Sequence, residues 1–578
     1  MSNLPAYFVM AWLELKNMFG STYIVTPSDV PDMALEFPWW LRLAHVFNLL
    51  FMLLLIRSGI GIIGAHPRFY WSDDAIPGTE WLRTGDEERP TNIDKERIGG
   101  DDEQRRPTAT EPVSEEATDG GVSTESAELP SPERSSGRTS KRVSKEKEGV
   151  WTAEDEADPY SSWLALPGKD NLGLSRHWHY WGVAGWLITG GLYVVLLFGT
   201  GQWDRLVPTS WSIFPQAIDA LVTYAQLQIP EAAGYNALQQ LTYFAVIFVL
   251  SPLMIVTGVL QAPAMRAHFP GWFSHIRQKV RSIHLLGMLA FVVFIVGHVS
   301  LVVAHGFSEE MAKILLGSAD ASHSLALALT AVWIGGAVAF LVIADRASLK
   351  WPMRTKKLLE IGLDSLLKRV FHHHTDIVDE ESELQTSSEF ARVNGKAPRN
   401  DDYRAHVAED FANWRLTVGG LVENELELSL DELQELPRQS QTTRHDCIQG
   451  WTYVAQWGGV PVNELIDRCN PVEEAEWVVF HTLDEKWEEP DVDGYYYEAI
   501  RMDKATEQGT LLADEMNHEP LPIAHGAPLR LRLRTQLGYK MAKWVTHVEF
   551  VENFDDIGKG QGGWRDDVLN YFPNSADI

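Results

Sequence analysis

Residues 281–305 read RSIHLLGMLAFVVFIVGHVSLVVAH, an apolar run long enough to cross a bilayer that nevertheless carries His284 and His298. The two histidines stand fourteen residues apart, close to four helical turns, so they share one face of a helix. At 1.5 Å of rise per residue they are separated along the axis by about 21 Å, which sets one near each membrane surface. Ionisable side chains inside a span usually face the bundle interior and mark function.

Working outward, four further apolar stretches join Ile283–Ala304. They are approximately Trp39–Ala65, Trp178–Gly199, Tyr243–Leu260 and Ser324–Ala344. The expectation is a membrane all-α helical bundle of five spans within residues 39–345. The first span carries Arg42, His45, Asn48 and Arg57, an expensive set to place in lipid. His45 lies near the start of the first span and His179 near the start of the second. Consecutive spans alternate in direction, so the start of the first meets the end of the fourth. The starts of the second and fourth meet on the opposite side. This predicts the pairs His45/His298 and His179/His284, each able to clamp one haem iron through two imidazoles. Two haem b groups so placed would carry electrons across the bilayer. His66, His177 and His305 lie near the same surfaces and stay open as alternative ligands. Buried, hydrogen-bonded histidines with no metal are the plain structural alternative.

The chain has 578 residues and a formal net charge of -30, which excludes the basic footprint of nucleic-acid binding. The charge fits a heavily solvated surface, such as one adapted to high salt. Two cysteines, Cys447 and Cys469, exclude a disulfide framework and a four-cysteine zinc or iron–sulfur site. Residues 1–38 read as an N-terminal amphipathic segment, in which Tyr7–Phe19 is too short to span and lacks a signal peptide's basic start. Residues 73–158 are rich in Glu, Asp, Ser, Thr, Gly and Pro and read as a disordered acidic insertion.

After Arg346 the sequence turns polar. Residues 346–397 read as a linker and 398–578 as a soluble α+β domain. Within it, Trp414–Val422 alternates like a strand and Ser429 with Glu432 spells a capping box. Pro461–Cys469 reads as a helix, and Trp477–Leu483, Pro528–Arg534 and Ala542–Val551 read as strands. Thr443-Arg-His-Asp-Cys447 closes another strand. Viewed alone, Cys447 is a buried small apolar side chain as readily as a ligand, but a thiolate in a polar, basic setting suits a transition metal.

Two resemblances add to this reading. Arg57-Ser-Gly59, Ala65-His-Pro-Arg-Phe-Tyr-Trp71, Arg176-His-Trp-His179, Tyr235-Asn-Ala-Leu-Gln239 and Arg281-Ser-Ile-His284 through His298 resemble the di-haem cytochrome b subunits of thiosulfate reductases and formate dehydrogenases. That resemblance covers roughly residues 38–305. It implies His45, His179, His284 and His298 as haem ligands and membrane quinone as electron partner. Residues 398–572 resemble the sulfite oxidase family and the related catalytic subunit of protein-methionine-sulfoxide reductase. The matching blocks are the cysteine motif, Asp514-Glu-Met-Asn517, Leu521-Pro-Ile-Ala-His-Gly-Ala-Pro-Leu-Arg530, Leu537-Gly-Tyr-Lys540 and Lys543-Trp544. This second resemblance implies Cys447 as the molybdenum ligand. It implies pterin contacts from Asn400, Tyr403, Arg404, Thr482, His525, Arg530 and Lys543. Arg444 and Arg565 are its candidates for holding an oxyanion, with Arg444 taken beside Cys447 as catalytic.

Arg266, Arg277, Lys279, Arg281, Arg346, Lys350, Arg354, Lys356 and Lys357 all fall on the side of the soluble domain, so positive-inside bias places that domain in the cytoplasm of a multi-pass cell-membrane protein. The function expected is molybdenum oxygen-atom transfer, either sulfite oxidation or reduction of an S- or N-oxide, coupled through two b haems to quinone. The alternative is a transmembrane cytochrome b that serves a partner protein and bears a non-catalytic soluble domain.

Overall fold

A computed structural model describes residues 37–85, 157–158, 160–168, 172–230, 234–262, 276–371, 387–388, 391–486, 494–571 and 576. The expectations for Tyr7–Phe19, for Arg266 and for residues 86–156 lie outside them. Five described helices are long and apolar enough to cross a membrane. They are α1 (Trp39–Ala65), α2 (Leu172–Gly199), α4 (Ala237–Gln261), α5 (Arg277–Ala304) and α7 (His323–Lys350). A helix satisfies every backbone N–H and C=O within its own segment, which is what lipid demands. Short helices α3 (Ile213–Ala225) and α6 (Phe307–Leu316) pack at the end far from the soluble domain. Within α4 the turn at Ala245–Leu250 widens to a π-helix. Pro252 has no N–H to give, and the Ser251 hydroxyl donates to Val246 O at 2.8 Å instead.

Two expected boundaries shift. The linker is not featureless, because α8 (Pro352–Phe371) follows α7 directly and packs back on α2. Trp181 Nε1 donates to Leu359 O at 2.8 Å, and Lys356 Nζ donates to Gln561 Oε1 at 3.2 Å. The start of the acidic insertion is also ordered. A two-stranded hairpin, β1 (Arg68–Phe69) with β2 (Leu82–Arg83), brackets Asp73. The Asp73 carboxylate accepts from the backbone of Arg277 and Gln278 at 3.2 and 2.7 Å and so caps α5.

The soluble half is built on two five-stranded sheets. One contains β5 (Gln439–Asp446), β6 (Thr452–Pro461), β9 (Leu511–Met516), β10 (Glu519–Pro520) and β11 (Arg530–Arg532). The other has the order β4 (Leu426–Ser429), β3 (Arg415–Gly420), β12 (Val545–Val551), β7 (Trp477–Glu485), β8 (Tyr495–Arg501). Their inward residues, among them Trp414, Leu416, Phe480, Val548 and Phe550, form one core. Short helices around it include α9 (Asp401–Ala408), α10 (Leu430–Gln434, opened by the Ser429/Glu432 capping box) and α11 (Val462–Cys469). The α+β expectation holds. Strands β4, β6, β8, β9 and β10 are additions that the sequence pattern left unassigned.

The two halves share a buried cluster. Tyr70 and Ala75, from the hairpin segment, pack with Cys447, Ile448, Trp451, Tyr453 and Trp457.

Candidate functional site

Cys447 sits at the turn that closes β5 against β6. Its N–H donates to Trp451 O and Gly450 N–H returns to Cys447 O, at 3.0 and 2.9 Å. Gly450 adopts φ 93°, where any other residue is strained, and a Cβ there would meet Gln278 Nε2 on α5 at 3.1 Å. The turn is therefore shaped to lie against the membrane helices. Arg176 Nη2 on α2 donates to Ile448 O at 3.2 Å, and Arg277 Nη1 on α5 donates to Cys447 O at 3.5 Å.

Cys447 lines a cleft. Its walls bring Arg392, Lys486, Arg530, Lys543 and Arg565 against a single carboxylate, Asp484. Such a balance selects an anionic group even in a chain that is acidic overall. Tyr453, Trp451, Tyr496, Tyr539 and Trp544 supply flat faces. Trp544 is held at φ 58°, a left-handed conformation costing about 1–3 kcal/mol in a bulky residue and concentrated at functional sites. Several buried polar atoms along the wall lack a protein partner: His525 Nε2, Arg530 Nε, His445 Nδ1 and Asn394 Oδ1. Unmet donors and acceptors around a cationic, aromatic-walled cleft fit a ring of paired donors and acceptors that ends in a phosphate, which is the chemistry of a pterin cofactor.

Burial pushes the Cys447 thiol up to about 11, opposed by Arg565, Arg392 and Arg277. At neutral pH it carries its proton until a metal displaces it. Burial, with Arg530 and Lys543, holds His525 well below the usual range, so its ring is neutral. His445 is held neutral by burial with Arg532 and Arg530, and stacks on Tyr453 at 4.8 Å.

Of the residues expected here, the structure gathers Cys447, His525, Arg530, Lys543 and Arg565 in one cleft. It does not bring Asn400, Tyr403, Arg404, Thr482 or Arg444 to the lining. Asn400 caps α9: its Oδ1 accepts from Tyr403 N at 2.8 Å and its Nδ2 donates to Leu483 O at 2.8 Å. Tyr403 is buried and donates to Ala527 O at 2.7 Å, so it positions the His525–Arg530 turn from behind. Arg404 is exposed on α9. Thr482 donates to Tyr496 O at 2.6 Å. Arg444 alternates with His445 along β5, and in a strand adjacent side chains take opposite faces. Arg392, Asn394, His445, Tyr453, Asp484, Lys486, Tyr496 and Tyr539 were not singled out. They come from five separate stretches that no local pattern connects.

One wall is anchored by a buried ion cluster. Lys540 follows Tyr539 and donates to Glu498 Oε2 at 2.8 Å and to Asp566. Burial pushes the Glu498 carboxyl up to about 8, against the pull of Lys540. The folded value lies above the ordinary one of roughly 4.3. The group's contribution to stability is therefore fully present at low pH and lost as pH rises through 8. Chemical unfolding followed by tryptophan fluorescence should show wild type weakening relative to Glu498→Gln between about pH 4.5 and 8.5. A constant difference across that window would refute this.

In the membrane half, every expected haem ligand has Nδ1 engaged. His45 Nδ1 meets Leu41 O at 2.9 Å, His179 Nδ1 meets Ser58 Oγ at 3.0 Å, His284 Nδ1 meets Thr257 Oγ1 at 2.8 Å and His298 Nδ1 meets the Tyr243 hydroxyl at 3.4 Å. Fixing Nδ1 leaves Nε2 as the metal-facing atom, the usual second-shell arrangement. His179 lies near His284, and His298 near His45. Gly59 and Gly258 stand beside the Cε1 atoms of His179 and His284, where a Cβ would be 3.9 and 3.6 Å away, and keep that space free of side chains. These features fit an iron held between each pair. Two of the alternatives have Nε2 already met: His66 by Arg176 at 3.0 Å and His305 by Tyr224 at 3.4 Å. His177 is buried, with Nδ1 on Gly173 O at 2.8 Å.

Comparison with known proteins agrees with both halves. The family described as oxidoreductase molybdopterin binding domain matches residues 404–556, and prokaryotic cytochrome b561 matches residues 148–317. The catalytic subunit MsrP of protein-methionine-sulfoxide reductase from Xanthomonas axonopodis pv. citri is 34% identical over 174 residues, 29% of this chain and 52% of the relative. A putative protein-methionine-sulfoxide reductase subunit, YedZ1 of Azospira oryzae, is 32% identical over 166 residues, 29% of this chain and 58% of the relative. MsrP of Campylobacter jejuni is 33% identical over 155 residues, 25% and 52% respectively. The chain spans about half the length of the curated relatives it matches. Residues 404–556 thus match a molybdopterin-binding oxidoreductase domain and residues 148–317 a prokaryotic cytochrome b561 domain, the two carried on one chain whose five described apolar helices are long enough to cross a membrane.

Proposed function

We propose that this chain reduces an S-oxide with electrons drawn from membrane quinol through two b haems. The reading is carried by one observation: the Cys447 turn is hydrogen-bonded to the helices that bear His179 and His284, through Arg176 and Arg277. Site of chemistry and electron relay are thus one assembled unit. Support for an S-oxide comes from the relatives, whose names include both a catalytic and a membrane subunit of methionine-sulfoxide reduction. The balance is simple. The S–O bond breaks, two electrons and two protons from quinol are consumed, and sulfide and water leave.

When bound, molybdenum on the Cys447 thiolate supplies two-electron oxygen-atom chemistry, and the haems pass the electrons singly. The chain supplies the rest. Arg530 and Lys543 would neutralise a cofactor phosphate, and His525 and Asn394 would pair with the donors and acceptors of a pterin. Arg392 and Arg565 lie close enough to act on the charge at Cys447 and orient the S=O oxygen by charge-assisted hydrogen bonds. His179 with His284 holds the haem nearer the cleft, and His45 with His298 the farther one.

The test uses the full chain purified in detergent, its haems reduced by dithionite and the excess removed. Adding methionine sulfoxide should reoxidise the haem spectrum, with about one molybdenum per chain. Haems that stay reduced beside bound molybdenum would refute S-oxide reduction.

A further inference from the structure

Away from the cleft, the outer face of the second sheet carries three metal-ligating side chains on its central strands. His547 and Glu549 alternate along β12 with the core residues Val548 and Phe550, so both point outward. His481 is the direct cross-strand partner of His547 on antiparallel β7. The ligand atoms of His481, His547 and Glu549 all lie within 4.8 Å of one another, and each residue is half-buried. His481 Nε2 meets Glu549 Oε2 at 2.8 Å, and the two imidazoles stand 5.3 Å apart.

The surroundings orient these groups toward one point. The Thr417 hydroxyl donates to Thr546 O at 3.4 Å and lies 2.7 Å from His547 Nδ1. With its proton on Thr546 O, the hydroxyl can accept from Nδ1–H, the tautomer that leaves a lone pair on His547 Nε2. That is the outer-shell device by which proteins fix a ligating histidine. Gly419, which pairs with Glu549, places no side chain against the ring, and its Cβ position lies 3.7 Å from His547 Cε1. Glu425 borders the same spot, 3.9 Å from that position, and acts on the charge of His547.

We propose that His481, His547 and Glu549 form a second metal site, for a divalent ion of zinc type, separate from the Cys447 cleft. Two imidazoles and one carboxylate with an open fourth position make a three-ligand zinc set. Tetrahedral ligands at 2.0–2.1 Å from the ion stand about 3.3 Å apart. The three ligand atoms, all within 4.8 Å of one another, need shift by at most about 1.5 Å to stand at that spacing. The ion ties β7 to β12 three residues before Asp484, which lines the cleft, so its occupancy bears on how that wall is held.

The test is zinc alone, titrated into the full chain in detergent against a chromogenic chelator, with wild type, His547→Gln and Thr417→Val compared. Taking differences between variants cancels zinc bound elsewhere. Wild type should bind one more equivalent than His547→Gln. Thr417→Val should keep that equivalent with affinity weakened about 10–100-fold, the usual cost of a lost outer-shell partner. Zinc should also raise the unfolding midpoint of wild type and not that of His547→Gln. Equal stoichiometry in wild type and His547→Gln, with unchanged haem spectra showing both folded, would leave a His481–Glu549 ion pair and overturn the proposal.

Discussion

Replacing Cys447 by serine is expected to cut S-oxide turnover to roughly a thousandth of wild type or less, about 4 kcal/mol of barrier at 1.4 kcal/mol per decade. The exchange barely alters volume at a site that is 3% exposed, so the fold should persist. What changes is the donor. A thiolate is a soft, strongly electron-donating ligand, and the cations around this turn, Arg277, Arg392 and Arg565, are placed to favour a charged sulfur. A serine hydroxyl is a poor substitute, since its proton is far harder to remove. Dithionite-reduced haems in the variant should stay reduced when methionine sulfoxide is added. The haem spectrum itself should match wild type, because no described haem-ligand candidate touches Cys447. Wild-type turnover in Cys447→Ser would show that the cysteine is an ordinary buried side chain.

His284→Gln should halve the haem content, from two per chain to one, and stop quinol from reducing substrate. His284 and His179 approach from α5 and α2 with both Nδ1 atoms tied to hydroxyls, so the pair loses its iron if either ring goes. The remaining haem, between His45 and His298, would still be reducible by quinol but stranded from the cleft. His305→Gln is the matched control. Its ring lies at the far end of the same helix with Nδ1 on Leu301 O at 2.7 Å and Nε2 by Tyr224, and its loss should leave both haems in place. Pyridine haemochrome assay with protein quantitation reads the ratio. Two haems in His284→Gln, or one in His305→Gln, would reassign the ligands.

The sequence carried much of this. Five spans could be read because lipid imposes a length of apolar chain that little else requires. The His284/His298 spacing placed one ring near each surface through helix geometry alone. Ser429 with Glu432 announced α10, because a capping box is a local device whose two hydrogen bonds close within four residues. Cys447, His525, Arg530 and Lys543 were named in advance and do meet in one cleft.

Other expected residues lie off the cleft wall for identifiable reasons. Arg444 is a neighbour of the site in sequence but not in space, since a strand turns alternate side chains away. Asn400 looked like a cofactor contact, yet both ends of its amide are spent on the backbone of Tyr403 and Leu483. The linker and the first residues of the acidic insertion looked structureless because their apolar partners lie in the other half of the chain. Ala75 finds its partners in the cluster with Trp451 and Tyr453.

By itself, then, the sequence determined what depends on local rules: which segments cross a membrane, which rings face its interior, which strands and caps form, and which thiol is chemically apt. Only the tertiary structure decided what depends on closure between distant segments. It set Arg392, Asn394, Asp484, Tyr496 and Tyr539 around Cys447, laid that turn on α2 and α5, and put His481 opposite His547. Strand register and the packing of one half on the other are properties of pairs of segments, and no single segment encodes its partner.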